Sequence, residues 1–203
     1  MASETDIANV ALRLVGGTRI TSLTQGTPNA NAVQDVYEET RDHLLEFPWN
    51  FATERVKLAR SSTAPTFGFD YAYALPSDWV FTISIHDNDE GIGIFDYREE
   101  QVGSQKVIST DSEDVYMIYT KKETDPNLMT PAFRRALASA LARDLAIAIA
   151  NSNVLEDQLS KRATKDLAKA KSLDAMGSFP EQRPRGSWAN SRNGFGSVWF
   201  RGR

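Results

Sequence analysis

The chain has 203 residues, of which 41% are hydrophobic and 25% charged, enough apolar material for one substantial domain or for a domain carrying a smaller insertion. It has no cysteine and two histidines, His43 and His86. That excludes disulfide frameworks, thiolate zinc sites, iron–sulfur clusters, a cysteine nucleophile and imidazole-rich metal sites. The net charge is −4 but unevenly spread: residues 176–203 hold five Arg and one acid for +4, so residues 1–175 carry −8.

In chain order, the first element is a helix. Ser3 with Asp6 three positions on resembles a capping box. Ile7, Val10, Ala11 and Leu14 then follow helical spacing, and Gly16-Gly17 supplies the stop. No basic stretch followed by an apolar core opens the chain, so no signal peptide is expected. After a polar loop, Thr27-Pro28 offers an N-cap and a pre-set first helical residue. Val33, Val36, Tyr37, Thr40, Leu44 and Phe47 continue that face until Pro48.

From Phe51 the period changes to two. Val56 and Leu58 alternate with Arg55 and Lys57, and Trp79, Phe81, Ile83 and Ile85 alternate with Val80, Thr82 and Ser84. The first pattern predicts a half-buried strand, and the second is the stronger strand signal. Residues 87–91 (DNDEG) read as a turn. Residues 92–95, 106–110 and 115–119 read as further strands, so a small antiparallel β-domain is expected over 51–122.

Helical spacing returns at Thr130-Pro131. Phe133, Leu137, Leu141, Leu145 and Ile149 form one stripe, and alanines leave the other sides thin. Such a helix packs closely with several neighbours and is expected at a bundle centre. Arg143 and Asp144 interrupt its apolar run, which is too short to span a bilayer, so a soluble, cytoplasmic chain without membrane partners is expected. A fourth helix follows the break at 151–153. Leu155, Leu159, Ala163, Leu167, Ala170 and Leu173 line its apolar side, and Gly177 ends it. The fold class predicted is therefore α+β. A four-helix bundle (1–50 and 123–177) carries a small antiparallel β-domain (51–122) inserted between helices 2 and 3, followed by an extended C-terminal arm (178–203).

The arm is a compositional break. Gly, Pro, Ser, Asn and Arg dominate, interrupted by Phe179, Trp188, Phe195, Trp199 and Phe200. Alone it buries too little apolar surface to offset its ordering entropy, so it is expected to be held by a neighbouring chain. Arg183, Arg185, Trp188, Arg192, Phe195, Trp199, Phe200 and Arg201 are the candidate contact residues. Arginine and aromatic anchors suit pockets of a protein partner, and equally suit stacking on single-stranded nucleic acid. A nucleic-acid-binding protein acting through this arm is thus the alternative reading, although the chain as a whole is no polycationic binder.

Catalytic constellations are not evident. The 87–91 turn places Gly91 and Arg98 at the fifth and twelfth EF-hand positions, so the anchoring carboxylate is missing. Gly91-Ile92-Gly93 lacks the third glycine of a dinucleotide loop. Glu38-Glu39 and Glu99-Glu100 read as solvated faces rather than acid/base pairs. His43, in the second helix near Leu44, reads as a surface or interface residue rather than a base, and His86 ends a strand without an evident orienting partner. No enzyme, metal or cofactor is expected.

Several pieces in order carry a family resemblance. They are Ile7-Ala8-Asn9 with Leu12, Leu14 and Gly16; Ile20 with Ser22-Leu23; and Tyr37, Arg41 and Leu44-Leu45. Pro48-Trp49-Asn50-Phe51-Ala52 follows, then Arg55 and Leu58, Tyr73 and Leu75-Pro76 with Asp78, Tyr119, and the Ala/Leu-rich helix over 133–150. Over roughly residues 5–175 this resembles the head-to-tail adaptors of short-tailed bacteriophages, also called tail tubular protein A. The resemblance implies a virion structural protein, made in the host cytoplasm and resident at the head–tail junction. It implies a homo-oligomeric ring, of twelve copies, between the portal protein and the tail nozzle or tail-tube protein. Double-stranded DNA would pass through its channel without specific binding, and the C-terminal extension would dock on the portal or an adjacent subunit.

Two of these pieces have a plainer reading. Trp49-Asn50-Phe51 is read first as a packing cluster where the second helix hands over to the first strand, and second as a partner contact. Leu75-Pro76, with Asp78, is treated in the same way, as a turn leading into Trp79. The −8 body suits a channel wall that does not grip phosphate, because each neutralised phosphate adds counterion-release affinity.

Overall fold

A computed structural model describes residues 1–91 and 96–177. It is mixed α+β, with four helices and two small three-stranded antiparallel sheets. The helix starts follow local chemistry. Helix α1, Glu4–Val15, opens on a reciprocal capping box in which Ser3 Oγ accepts from Asp6 N at 3.1 Å and Asp6 Oδ2 accepts from Ser3 N at 3.0 Å. It closes on Gly16, whose φ of 75° is the left-handed cap conformation that glycine adopts without strain. Helices α2, Pro28–Leu45, and α3, Pro131–Ala150, both begin with threonine before proline. Thr27 accepts from Ala30 N and Thr130 from Phe133 N. Helix α2 stops at Leu45, so Phe47 lies beyond its end, yet its ring still packs on the helical core.

Helix α4, Asn153–Ala175, reverses direction through Asn151 at φ 47°. Asn tolerates this region better than most residues, and its N–H bonds to Ile147 O at 3.1 Å. Helix α3 packs against α1, α2 and α4. Phe133, Leu137, Leu141 and Leu145 are buried along its length, and Ala136, Ala138, Ala142 and Ala146 let the neighbours approach closely. Each buried leucine on this face stabilises the fold by roughly 1.5–3 kcal/mol. On α4 one expected core residue is misplaced. Leu173 is 48% exposed and Asp174 is buried in its stead, because Ala163, Leu167, Ala170 and Asp174 keep the 4-3-4 spacing that faces α3.

The strands lie between α2 and α3 in the chain. One sheet has the order β1-β6-β3, with β1 Thr53–Lys57, β3 Trp79–His86 and β6 Tyr116–Lys121. The other has the order β2-β5-β4, with β2 Tyr71–Ala74, β4 Tyr97–Val102 and β5 Gln105–Thr110. Strands β2 and β4 have no counterpart in the alternation analysis: β2 is four residues without polar alternation, and β4 has four consecutive polar residues, Arg98 to Gln101, at its centre. The hairpin from β4 to β5 turns on Gly103, whose φ of 63° a two-residue loop requires. The expected strand over 92–95 lies outside the described residues.

The face of β3 departs from simple alternation. Its register against β6 shifts between Trp79 and Phe81 and again between Thr82 and Ser84. Each irregularity re-aims the side chains that follow it. Trp79 and Ile85 therefore face the core between the sheets, while Phe81 and Ile83 are 42% and 36% exposed and Val80 packs on the helical core. Leu58, Tyr73, Ile85, Ile108, Val115, Met117 and Tyr119, drawn from both sheets and their flanks, form that second core.

Candidate functional site

The candidate contact residues of the arm, Arg183, Arg185, Trp188, Arg192, Phe195, Trp199, Phe200 and Arg201, lie outside the described residues. What is described is the place from which the arm departs. Chain residues 174–177 finish α4 beside the turn that joins α2 to β1. That turn is a short 3-10 segment, Asn50–Ala52, preceded by Trp49.

Trp49 is fully buried. Its Nε1–H donates to Leu44 O at 2.7 Å, which satisfies the one polar atom of the ring. Phe47 and Phe133 meet the indole edge-on at 5.1 and 5.0 Å between centroids, and Phe51 meets Phe133 edge-on at 4.9 Å. Trp49, Phe51 and Phe133 thus tie the start of the strands to the first turn of α3. Asn50 points the other way. Its backbone N–H donates to Asp174 Oδ2 at 3.1 Å, and its Nδ2 donates to Asp174 O at 2.7 Å. Burial pushes the Asp174 carboxyl above its ordinary value, opposed by the hydrogen bond from Asn50 N–H. The root of the arm is therefore clamped to the Trp49-Asn50-Phe51 turn.

The second piece, Leu75, Pro76 and Asp78, forms the connection from β2 to β3. Leu75 N donates to Lys106 O at 3.1 Å and its side chain packs on the core between the sheets. Pro76 O accepts from Trp79 N at 3.1 Å, and Asp78 O accepts from Lys122 N at 2.6 Å. Asp78 Oδ1 accepts from Tyr119 Oη at 3.1 Å. Burial and the adjacent Asp78 together raise the Tyr119 hydroxyl well above its ordinary pKa. Lys122 then reaches across to α2, where its Nζ lies 2.7 Å from Asp42 Oδ2, while the buried Arg41 holds the other oxygen at 2.8 Å. One carboxylate thereby links the helices to the end of β6.

A cleft of about 350 Å³ opens between α2, α3 and α4. Its walls are Val36, Leu44, Ala136, Ala140, Ala163 and Leu167. Polar groups sit at one side: Glu39 on α2, and Asp144, which accepts from Thr40 Oγ1 at 3.1 Å and pairs with Arg143 at 2.8 Å. Because α3 presents alanine here, the floor is made of methyl groups and backbone.

Among the described residues, the side chains weighed as catalytic candidates stand apart from one another. Among the described residues no three His, Cys, Asp or Glu side chains gather as a metal site. His43 is exposed and faces Glu46 at 3.4 Å, and His86 Nε2 lies 3.0 Å from Ser84 Oγ. Glu38 and Glu39 are exposed on α2. Glu99 and Glu100 are neighbours on β4 and so project to opposite faces. Asp174 is the residue that the sequence reading missed. Its signal was a carboxylate standing in the apolar 4-3-4 register of α4.

Among the described residues no helix is long and apolar enough to cross a membrane. In comparisons with known proteins, no family model matches the chain and no curated protein matches it.

Proposed function

We propose that the chain is a virion structural protein, the ring adaptor that joins a portal to the tail of a short-tailed bacteriophage. On this reading the four helices are a bundle that packs side by side around a DNA channel. The strands of 51–122 are an inserted β-domain that faces the next tail component, and residues 178–203 are the arm that docks on the portal or a neighbouring subunit. The observation that carries the reading is the ordered pair of pieces Trp49-Asn50-Phe51-Ala52 and Leu75-Pro76-x-Asp78, with helices on both sides of the strands in the chain. The clamp of Asn50 on Asp174 supports it, because an arm that transmits load to a partner needs a fixed root. The charge split supports it too: an acidic body leaves phosphate ungripped, and the +4 arm supplies arginines that suit a partner surface.

The test mixes the purified chain with portal rings of the same virion and follows sedimentation and particle shape by electron microscopy. The adaptor reading expects one ring of this chain per portal ring. It also expects loss of docking in the Trp188→Ala, Trp199→Ala double variant with the far-ultraviolet circular dichroism unchanged. No association with portals, together with oligonucleotide binding that falls steeply with salt, would overturn it in favour of the nucleic-acid reading.

A further inference from the structure

We infer that in the free chain the C-terminal arm folds back into the cleft between α2, α3 and α4, seating Trp188 on its alanine floor. The inference goes beyond the adaptor reading and does not depend on it, since it concerns a single chain without partners.

Three features of the molecule converge on this. The first is chemistry. The cleft offers methyl and methylene walls at Ala136, Ala140, Ala163 and Leu167, with the carboxylates of Glu39 and Asp144 at one side. The arm offers the complementary set: Trp188 flanked by Arg183, Arg185 and Arg192, with Glu181 as its one acid. An aromatic ring with arginines on both sides fits an apolar slot with an acidic edge, because the ring is desolvated while the guanidinium groups pair with carboxylates. Glu38, exposed on α2, adds negative charge beside Glu39, whereas Asp42 is already held by Arg41 and Lys122. Within the lining Asp144 is already paired with Arg143, which makes Glu39 the carboxylate an arm arginine would meet.

The second feature is size. A cleft of about 350 Å³ falls in the roughly 300–1,000 Å³ range of sites that enclose small molecules or large side chains. The third is reach. The arm starts where α4 ends, and Leu167 in the cleft wall lies ten residues before Gly177, about 15 Å along the helix axis. Trp188 is eleven residues beyond Gly177, and a random coil of that length has an r.m.s. span of about 17–20 Å. The match between span and distance maximises the effective concentration, which for such a tether is of millimolar order. A millimolar dissociation constant in trans already leaves the tethered arm seated about half of the time. Phe179 lies too close to the root to reach the cleft, and Trp199 reaches it at a lower effective concentration.

The occupied cleft would hold the arm's anchor residues away from any other partner until that partner outcompetes them. The absence of native cysteine permits a direct test in the full-length chain. Thr164→Cys, exposed on the cleft wall, is paired with Ser187→Cys beside Trp188. The control pairs Lys165→Cys, one residue on and about 100° round the helix, with the same Ser187→Cys. Under mild oxidation at micromolar protein, intramolecular disulfide should form at least about tenfold faster at position 164 than at 165. Adding Trp188→Ala should reduce the rate at 164 to that of the control. Equal rates at the two positions, a fast rate that survives Trp188→Ala, or disulfides only between chains would each overturn the inference. No portal is present in the experiment, so the result stands apart from the fate of the adaptor reading.

Discussion

Among the described residues, twenty-five buried side chains make up the core shared by the helices and seven make up the core between the sheets. The difference is one of means as well as size. The helical core is filled by leucine, alanine and a knot of aromatic rings around Trp49, and it gains stability from apolar area. In the strand core, tyrosine hydroxyls supply what area cannot. Tyr73 Oη donates to the carbonyls of Ser112 and Glu113, and Tyr119 Oη to Asp78. Tyr37 in the helical core shows the contrast: it is buried and its hydroxyl has no hydrogen-bond partner among the described residues, so its ring is used and its oxygen is not. Where a core is thin, directional bonds fix loops and register. Where it is thick, shape suffices.

The largest test of this contrast is Trp49→Ala. Removing the indole leaves a cavity among Phe47, Phe51 and Phe133 and strands the Leu44 carbonyl, at an expected cost of about 3–5 kcal/mol in urea unfolding. Because Trp49 also roots β1, the strands should lose hydrogen-exchange protection together with the helices; a loss confined to the helices would break the link between the two parts.

A smaller pair of substitutions separates the two means directly. Tyr73→Phe should cost about 1 kcal/mol, since two carbonyls lose their donor. Tyr37→Phe should be neutral or stabilising, since it removes a buried hydroxyl without a partner among the described residues. Equal effects at the two positions, measured by urea midpoints, would remove the distinction.

The Asp174 clamp makes a pH-dependent prediction. A carboxyl with a raised native pKa holds its proton more tightly in the folded state, so stability falls as pH rises from its ordinary 3.8 through the raised native value. Asp174→Asn retains an oxygen to accept from Asn50 N–H and removes the charge. Its urea midpoint should vary less with pH across that window and be no lower than that of the parent at pH 7. The smallest effect is expected one residue away. Leu173→Gln, on the exposed side of α4, should change stability by less than about 0.5 kcal/mol, whereas a core role for Leu173 would require several times that.

The candidate site was only partly legible in the chain. Trp49 and Asp78 stand out as residues, but that one fills the helical core and the other anchors Tyr119 depends on groups 84 and 41 positions away, Phe133 and Tyr119. Asp174 was visible as a polar residue in an apolar register, and its partner Asn50, 124 positions distant, was not.

The same division runs through the fold. Sequence alone determined the starts of the first three helices, because Ser3 with Asp6, Thr27 with Ala30 and Thr130 with Phe133 complete their hydrogen bonds within three residues. It determined the central place of α3 through an alanine-rich surface that only close neighbours can cover. Tertiary structure decided which face of β3 is buried, since two register shifts against β6 turn Phe81 and Ile83 outward. It decided the existence of β2 and β4 as well: neither carries an alternating pattern, and both form because β5 lies between them and pairs with both edges. A cap is made by neighbours in the chain, whereas a strand's face and partner are set by backbone groups brought from a distance.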